Sequence, residues 1–96
     1  MRAWLKALPD AEKREIGADI KTVQFGWPIG MPVVDHVDAE IWEVRTRLSN
    51  RVARVLFALD GSVMVLLHGF IKKERKTPKT ELDLAKQRLR KLRSTP

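Results

Sequence analysis

Cysteine and tyrosine are absent from this chain of 96 residues, and histidine occurs only twice, at His36 and His68. Without cysteine the chain forms no disulfide and has no thiol nucleophile, which fits a reducing compartment. Two separated histidines and no cysteine do not match the ligand sets of zinc or iron sites. We therefore expect no metal and no cofactor.

Long hydrophobic runs are also missing. No segment has the length of a membrane-spanning helix, and Met1–Lys6 lacks the apolar core and small-residue cleavage site of a signal peptide. We expect a soluble, cytoplasmic protein with no membrane partner. A chain of 96 residues, 44% of them hydrophobic, suffices for one core, so a single domain over 1–96 is predicted.

Positive charge is concentrated near the C-terminus. Residues 71–96 contain ten of the 19 Lys and Arg residues but only three of the 12 Asp and Glu residues. Residues 1–70 are therefore balanced, and the whole formal net charge of +7 lies in the last quarter of the chain. Clustered Lys and Arg neutralise phosphates, so this quarter predicts a polyanion-binding site.

Hydrophobic periodicity and turn residues predict an α+β protein. In chain order we expect a helix over 3–25 divided at Pro9, an irregular loop over 26–37, strands over 40–48, 52–59 and 63–71, and a C-terminal helix opened by Thr77-Pro78. The Asp60-Gly61 turn should pair the last two strands antiparallel. The apolar stripe of the final helix is predicted to be Leu82, Ala85, Leu89 and Leu92.

Arg54 interrupts an otherwise apolar strand. A buried guanidinium needs a carboxylate partner or an opening to solvent, so Arg54 is either paired with an acid such as Glu43 or binds phosphate in a cleft. If the strands lie in sequence order, cations flank Arg54 on both sides, namely Arg45 and Arg47 on the preceding strand and Lys72 and Lys73 at the end of the following one.

His68 and Phe70 lie near the end of the last predicted strand. In an unbroken strand, His68 has the same parity as Met64, Leu66, Phe70 and Lys72. A lone strand histidine is more often a hydrogen-bonded core residue than a catalyst. Phe70 either stacks on a nucleobase or belongs to the core.

Four segments together resemble the phage-derived Gp49-like, HigB-type branch of the RelE/ParE toxin superfamily. They are Ile41-Trp42-Glu43-Val44-Arg45, Ala53-Arg54-Val55-Leu56-Phe57, Leu66-Leu67-His68-Gly69-Phe70-Ile71-Lys72-Lys73 and Lys76-Thr77-Pro78. The resemblance extends from about Trp4 to Leu92. It implies a RelE-like α+β fold, in which an N-terminal helical hairpin or broken helix packs on a small antiparallel sheet of about three strands with a C-terminal helix.

The resemblance also implies a function. Such proteins are toxins of type II toxin–antitoxin pairs, commonly ribosome-dependent endoribonucleases that cut mRNA, and their usual partner is a HigA-like antitoxin with a helix-turn-helix domain. Alternatives are a ParE-like toxin that poisons a topoisomerase, and an inactive nucleic-acid-binding remnant. The chain departs from the family pattern in two respects, because it begins almost directly in a helix and has no tyrosine for a tyrosine-assisted mechanism.

By position, the family's strand arginine corresponds to Arg54. The basic motif after the last long strand corresponds to Lys72, Lys73 and Lys76. We hypothesise that Arg54 holds the scissile phosphate while Lys72 or Lys73 moves protons, with His68 as the reserve catalytic residue. The further predicted RNA contacts are Arg45, Arg47, Phe70, Arg75, Lys76 and Lys79.

Overall fold

The computed structural model describes residues 2–26, 34–49, 51–61, 63–71 and 78–94. Two helices are followed by a four-stranded antiparallel sheet and a third helix, which confirms the predicted α+β class. The elements are α1 (Arg2–Lys6), α2 (Asp10–Gly26), β1 (Val34–Asp38), β2 (Ile41–Arg47), β3 (Val52–Asp60), β4 (Val63–Ile71) and α3 (Lys79–Ser94).

Pro9 separates the two N-terminal helices, as the sequence predicts. Its carbonyl oxygen accepts the hydrogen bond from the Lys13 amide (3.0 Å), so the proline lies at the start of α2. Proline has no backbone N–H, so none is left unsatisfied at this helix start. Asp10 and Glu12 in the first turn complement the positive end of the helix dipole. None of the described helices combines the length and the apolar character that crossing a membrane requires.

β1 corrects the predicted loop over 26–37 and raises the strand count from three to four. Its sequence is poor in strand-forming residues and includes two aspartates, so local propensity alone gives little signal. The strand forms because it pairs with β2, where His36 lies opposite Trp42 and the two rings stack at 4.7 Å. Val37 is an extra residue that forms a bulge in this pairing. Residues 27–33 of the predicted loop lie outside the described residues.

The strands lie in sequence order, β1-β2-β3-β4. β4 contains a bulge, because Leu56 is opposite His68 whereas the next residue, Phe57, is opposite Leu66. Leu67 is therefore an additional residue with no counterpart on β3.

The bulge makes the predicted parity of β4 wrong for its first half. Met64 and Leu66 pack with the core on the α1/α2 side of the sheet, whereas Phe70 packs with the core on the α3 side. His68 is two residues before Phe70 and therefore shares its face.

Helices cover both faces of the sheet, and each face has its own apolar core. The core between the sheet and α1/α2 includes Ile16, Val23, Val44, Val55 and Phe57, all essentially inaccessible to solvent. The core under α3 includes Ile41, Leu56, Leu67, Ala85 and Leu89. This double coverage explains why β3 is apolar at nearly every position rather than alternating.

α3 is held to the sheet by its apolar stripe and by ion pairs. Leu82, Ala85 and Leu89 pack inward as predicted, but Leu92 is 40% exposed and lies outside the core. Lys86 pairs with Asp38 at 2.9 Å, and Arg93 pairs with Glu40, so the second half of the helix is tied to the turn between β1 and β2. The hydrogen bond from Lys86 lowers the pKa of the Asp38 carboxyl.

Gly69 allows α1 to approach β4 closely. A Cβ atom at position 69 would lie 2.4 Å from Cε3 of the Trp4 ring, well inside van der Waals contact. The indole of Trp4 therefore occupies the space that any other side chain at this position would need.

Replacing Gly69 with Ala tests this close approach. We expect Gly69→Ala to lower the free energy of unfolding by about 1–3 kcal/mol, because the Trp4 ring must move. Gly17→Ala is the matched control, since a Cβ in this α2 position meets nothing within 4 Å and should stabilise the helix by about 0.5–1 kcal/mol. Urea unfolding monitored by circular dichroism measures both. Equal effects of the two substitutions would contradict the packing described.

Thr46 offers a second test of the core. Its side chain is 2% exposed, and its hydroxyl has no hydrogen-bond partner within the part of the chain that the structure describes. We expect Thr46→Val to raise the free energy of unfolding by about 1 kcal/mol, because it removes an unsatisfied buried hydroxyl at nearly constant volume. Thr46→Ser keeps the hydroxyl and loses a methyl group, so it should be less stable than the parent. A Val variant no more stable than the Ser variant would refute this.

Candidate functional site

Polar side chains collect on the α3 face of the sheet, where the strand register aligns them in two rows. Arg45, Arg54 and Phe70 are directly opposite one another across β2, β3 and β4. The neighbouring row contains Glu43 and His68, on either side of Leu56. The predicted strand order is confirmed, so Arg54 lies on a strand with polar residues on both sides.

A chain of alternating charges crosses three strands. Nη2 of Arg45 donates to Asp35 Oδ2 (2.9 Å), and its Nε donates to Glu43 Oε1 (2.9 Å). The other carboxylate oxygen of Glu43 accepts a longer bond from Arg54 Nη1 (3.4 Å). Glu43 is 0% and Arg54 1% exposed, whereas the side chain of Arg45 is 27% exposed. Arg45 is thus the more accessible of the two arginines.

Burial dominates the electrostatics of Arg54. Desolvation lowers the pKa of its guanidinium below the ordinary value, while the Glu43 carboxylate opposes that shift. Arginine nevertheless stays protonated in proteins, so the site holds a buried cation compensated by a buried anion. The salt bridge to Glu43, one of the two interpretations of Arg54, is the arrangement found. Direct contact with a phosphate would require this pair to open.

His68 joins β4 to α3 through both of its ring nitrogens. Nδ1 lies 3.0 Å from Arg88 Nη1, which also donates to the Leu67 carbonyl oxygen at 2.7 Å. Guanidinium has no acceptor, so Nδ1 must be the acceptor and the ring proton resides on Nε2. Nε2 then donates to the carboxylate of Glu81. His68 is therefore hydrogen-bonded through both ring nitrogens, as expected for a structural strand histidine.

Phe70 belongs to the core. It is 8% exposed, it packs with Ala85 and Leu89 of α3, and its ring lies 5.9 Å from that of His68 at 23°. The predicted stacking on a nucleobase does not fit this arrangement, because α3 already covers the ring. The core interpretation of this residue is the one the structure supports.

Of the remaining predicted site residues, two lie on the surface and four lie outside the described residues. Arg47 is exposed at the end of β2, and Lys79 is exposed at the start of α3. Lys72, Lys73, Arg75 and Lys76 lie outside the described residues. β4 ends at Ile71, which is opposite Ala53, so Arg47 and Arg54 lie at the end of the sheet where β4 ends.

Sequence reasoning missed Glu81 and Arg88. They are seven residues apart on α3 and therefore share one side of the helix, which is the only signal that could have associated them. Their shared target, His68, depends on the bulge in β4 and could not be inferred from spacing.

Metal ligands and cavities do not mark a second site. Within the described ranges, no three His, Cys, Asp or Glu side chains are grouped as metal ligands would be. A cleft of about 300 Å³ lies between α3 and the β1–β2 turn, beside Lys86, Asp38 and Glu40. Its lining includes none of the residues of the two polar rows, so it is separate from them.

Comparison with known proteins gives one match. The family model described as "Phage derived protein Gp49-like (DUF891)" matches residues 3–90, which is nearly the whole chain. No curated protein matches the chain. The matched range includes α1, the sheet, the two polar rows and most of α3, and it confirms the resemblance seen in the four sequence segments. The chain therefore belongs to the phage-derived Gp49-like family, a family of RelE/HigB-type toxins.

Proposed function

We propose that this chain is the toxin of a type II toxin–antitoxin pair and that it cleaves mRNA on the ribosome without a metal ion. One observation carries the proposal. On the α3 face, Arg47 lies exposed beside the compensated arginines Arg45 and Arg54, at the end of the sheet where β4 leads into the most basic segment of the chain. Clustered cations at one end of a sheet attract and orient a polyanionic strand.

The proposed reaction is attack by a ribose 2′-oxygen on the adjacent phosphorus. A base takes the 2′-hydroxyl proton as the new P–O bond forms, and the bond to the 5′-oxygen then breaks while that oxygen gains a proton. The products are a 2′,3′-cyclic phosphate and a 5′-hydroxyl. These steps need a base, an acid and stabilisation of the added negative charge, all of which protein groups supply.

The residues divide these roles as follows in the proposal. One of Lys72 and Lys73, in its neutral form, is the base that takes the 2′-hydroxyl proton, and the other, as an ammonium, is the acid that gives a proton to the 5′-oxygen. Arg45 is the accessible arginine that first meets the phosphate, and Arg54 supplies charge from beneath it and makes contact if Glu43 releases it. His68 has both ring nitrogens in hydrogen bonds, so it positions α3 rather than transferring protons.

Membership of a toxin family implies an antitoxin partner. We propose a HigA-like protein with a helix-turn-helix domain, and mRNA on the ribosome as the target. An acidic or amphipathic segment of that antitoxin would neutralise the basic end of the sheet.

Expression of the toxin in bacteria, with mapping of mRNA 5′ ends, tests the reaction. The unmodified chain should generate new 5′ ends and stop translation, whereas Lys72→Ala/Lys73→Ala should leave mRNA intact and restore growth. Lys6→Ala/Lys21→Ala is the charge-matched control, because these two lysines are exposed on α1 and α2 across the sheet, and it should remain toxic. Toxicity with intact mRNA and an induced DNA-damage response would instead identify a ParE-like toxin.

A test of the role of Arg54 requires a variant that still folds. Arg54→Ala leaves the Glu43 charge poorly compensated in the core and should cost about 3–5 kcal/mol of stability, so loss of toxicity alone would be ambiguous. Arg54→Met combined with Glu43→Leu removes both charges and should fold at near-parental stability. We expect this double variant to be folded by circular dichroism and to leave mRNA uncut. A folded and fully active double variant would exclude Arg54 from the site.

A further inference from the structure

Arg88 is an exposed cation whose position is fixed entirely by uncharged acceptors. Its Nη1 donates to the Leu67 carbonyl oxygen at 2.7 Å and lies 3.0 Å from His68 Nδ1. Both partners belong to β4, so the guanidinium is anchored across the interface between α3 and the sheet. Two bonds through one nitrogen leave the remaining guanidinium donors for another ligand.

Two other cations of α3 form ion pairs with carboxylates, unlike Arg88. Lys86 is neutralised by Asp38 and Arg93 by Glu40. Arg88 forms no ion pair with any of the residues that the structure describes, and Glu81, an acid on the same side of the helix, is bonded to the opposite nitrogen of the His68 ring. The charge of Arg88 is thus not cancelled by direct contact with a carboxylate.

The hydrogen-bond pattern explains how a cation can be held in this way. Because His68 donates from Nε2 to Glu81, its Nδ1 presents a lone pair to Arg88. The Glu81 carboxylate selects the His68 tautomer that has its proton on Nε2. The lone pair on Nδ1 of that tautomer then holds the Arg88 guanidinium in place. An arginine immobilised before its ligand arrives loses less side-chain entropy on binding than an unrestrained one.

Arg88 also lies beside the candidate site. His68 is in the row next to Arg45, Arg54 and Phe70 on the same face of the sheet. A polyanionic strand following the basic end of this face would therefore pass near the guanidinium. Arg88 lines neither the cleft beside the β1–β2 turn nor a second cleft between α3 and the β3–β4 turn, which Asp60, Val65 and Arg93 line, so a small molecule bound in either cleft would not contact its guanidinium.

We propose that Arg88 is a phosphate-binding residue for single-stranded RNA, preorganised by Leu67 and His68, with Glu81 as a positioning residue. The choice of RNA as the ligand rests on the proposed function. The proposal adds a residue from the middle of α3 to the site. It requires only binding, so it is testable without any cleavage.

The test is the salt dependence of binding to a fluorescein-labelled oligouridylate, followed by fluorescence anisotropy between about 50 and 200 mM KCl. Arg88→Ala should weaken binding several-fold and reduce the magnitude of the logarithmic salt slope by about 0.7, as expected for one lost phosphate contact on a single strand. Arg90→Ala is the matched control, since it removes an exposed arginine from the same helix, two residues away. It should change the slope much less.

Further variants separate binding from folding. Arg88→Lys keeps the charge but lacks the guanidinium nitrogen that bonds Leu67 and His68, so it should bind RNA more weakly than the parent while circular dichroism shows that it is folded. Glu81→Leu removes the acceptor for His68 Nε2 and should weaken RNA binding, whereas Glu81→Gln keeps an acceptor and should bind more tightly than Glu81→Leu. The Arg88 Nε–Hε NMR signal, assigned by its loss in Arg88→Lys, should shift when RNA is added.

The outcomes distinguish this inference from the proposed reaction. Equal weakening by Arg88→Ala and Arg90→Ala, or an Arg88 signal that RNA does not move, would overturn the role of Arg88 even if the chain cuts mRNA. A selective effect of Arg88→Ala in a chain that cuts no mRNA would support the binding role and reject the endoribonuclease.

Discussion

The ion pair between Glu43 and Arg54 constrains the whole α3 face of the sheet. Both side chains are removed from water in the middle of a sheet that is otherwise apolar, so each is tolerable only while the other is present. Arg45 and Asp35 continue the alternation to the edge strand, and the four formal charges cancel. Because the cluster is neutral overall, the positive potential of this face must come from residues around it, including Arg47 and Arg88.

That constraint gives the site two layers. The lower layer is a compensated network whose geometry is fixed by strand register, and the upper layer includes cations at a strand end and on α3, namely Arg47 and Arg88. A rigid buried layer can orient a more accessible one, because side chains fixed by their own hydrogen bonds restrict the positions of the groups that they contact. His68 supports α3 in a comparable way, because one of its ring nitrogens bonds Glu81 and the other bonds Arg88, both on that helix.

Much of the fold could be predicted from the sequence because its signals are local. Period-2 alternation identifies β2, the Asp-Gly turn identifies the β3–β4 hairpin, and Pro9 divides the first helices. β1 could not be predicted in this way, since Val34–Asp38 becomes a strand only through its pairing with β2. The pairing of Arg54 with Glu43 could be predicted, because a buried guanidinium needs a carboxylate. The change of face between Leu66 and His68 could not, because an apolar strand contains no pattern that marks Leu67 as an extra residue.

Both outer strands of the sheet contain a bulge, with Val37 as the extra residue in β1 and Leu67 in β4. An edge strand presents unpaired amide and carbonyl groups, and a regular edge is a template on which another chain can add a strand. A bulge interrupts the spacing of those groups and increases the local twist, so neither edge offers an uninterrupted ladder. The irregularity that turns His68 towards α3 thus also discourages edge-to-edge aggregation of a small, strongly basic protein.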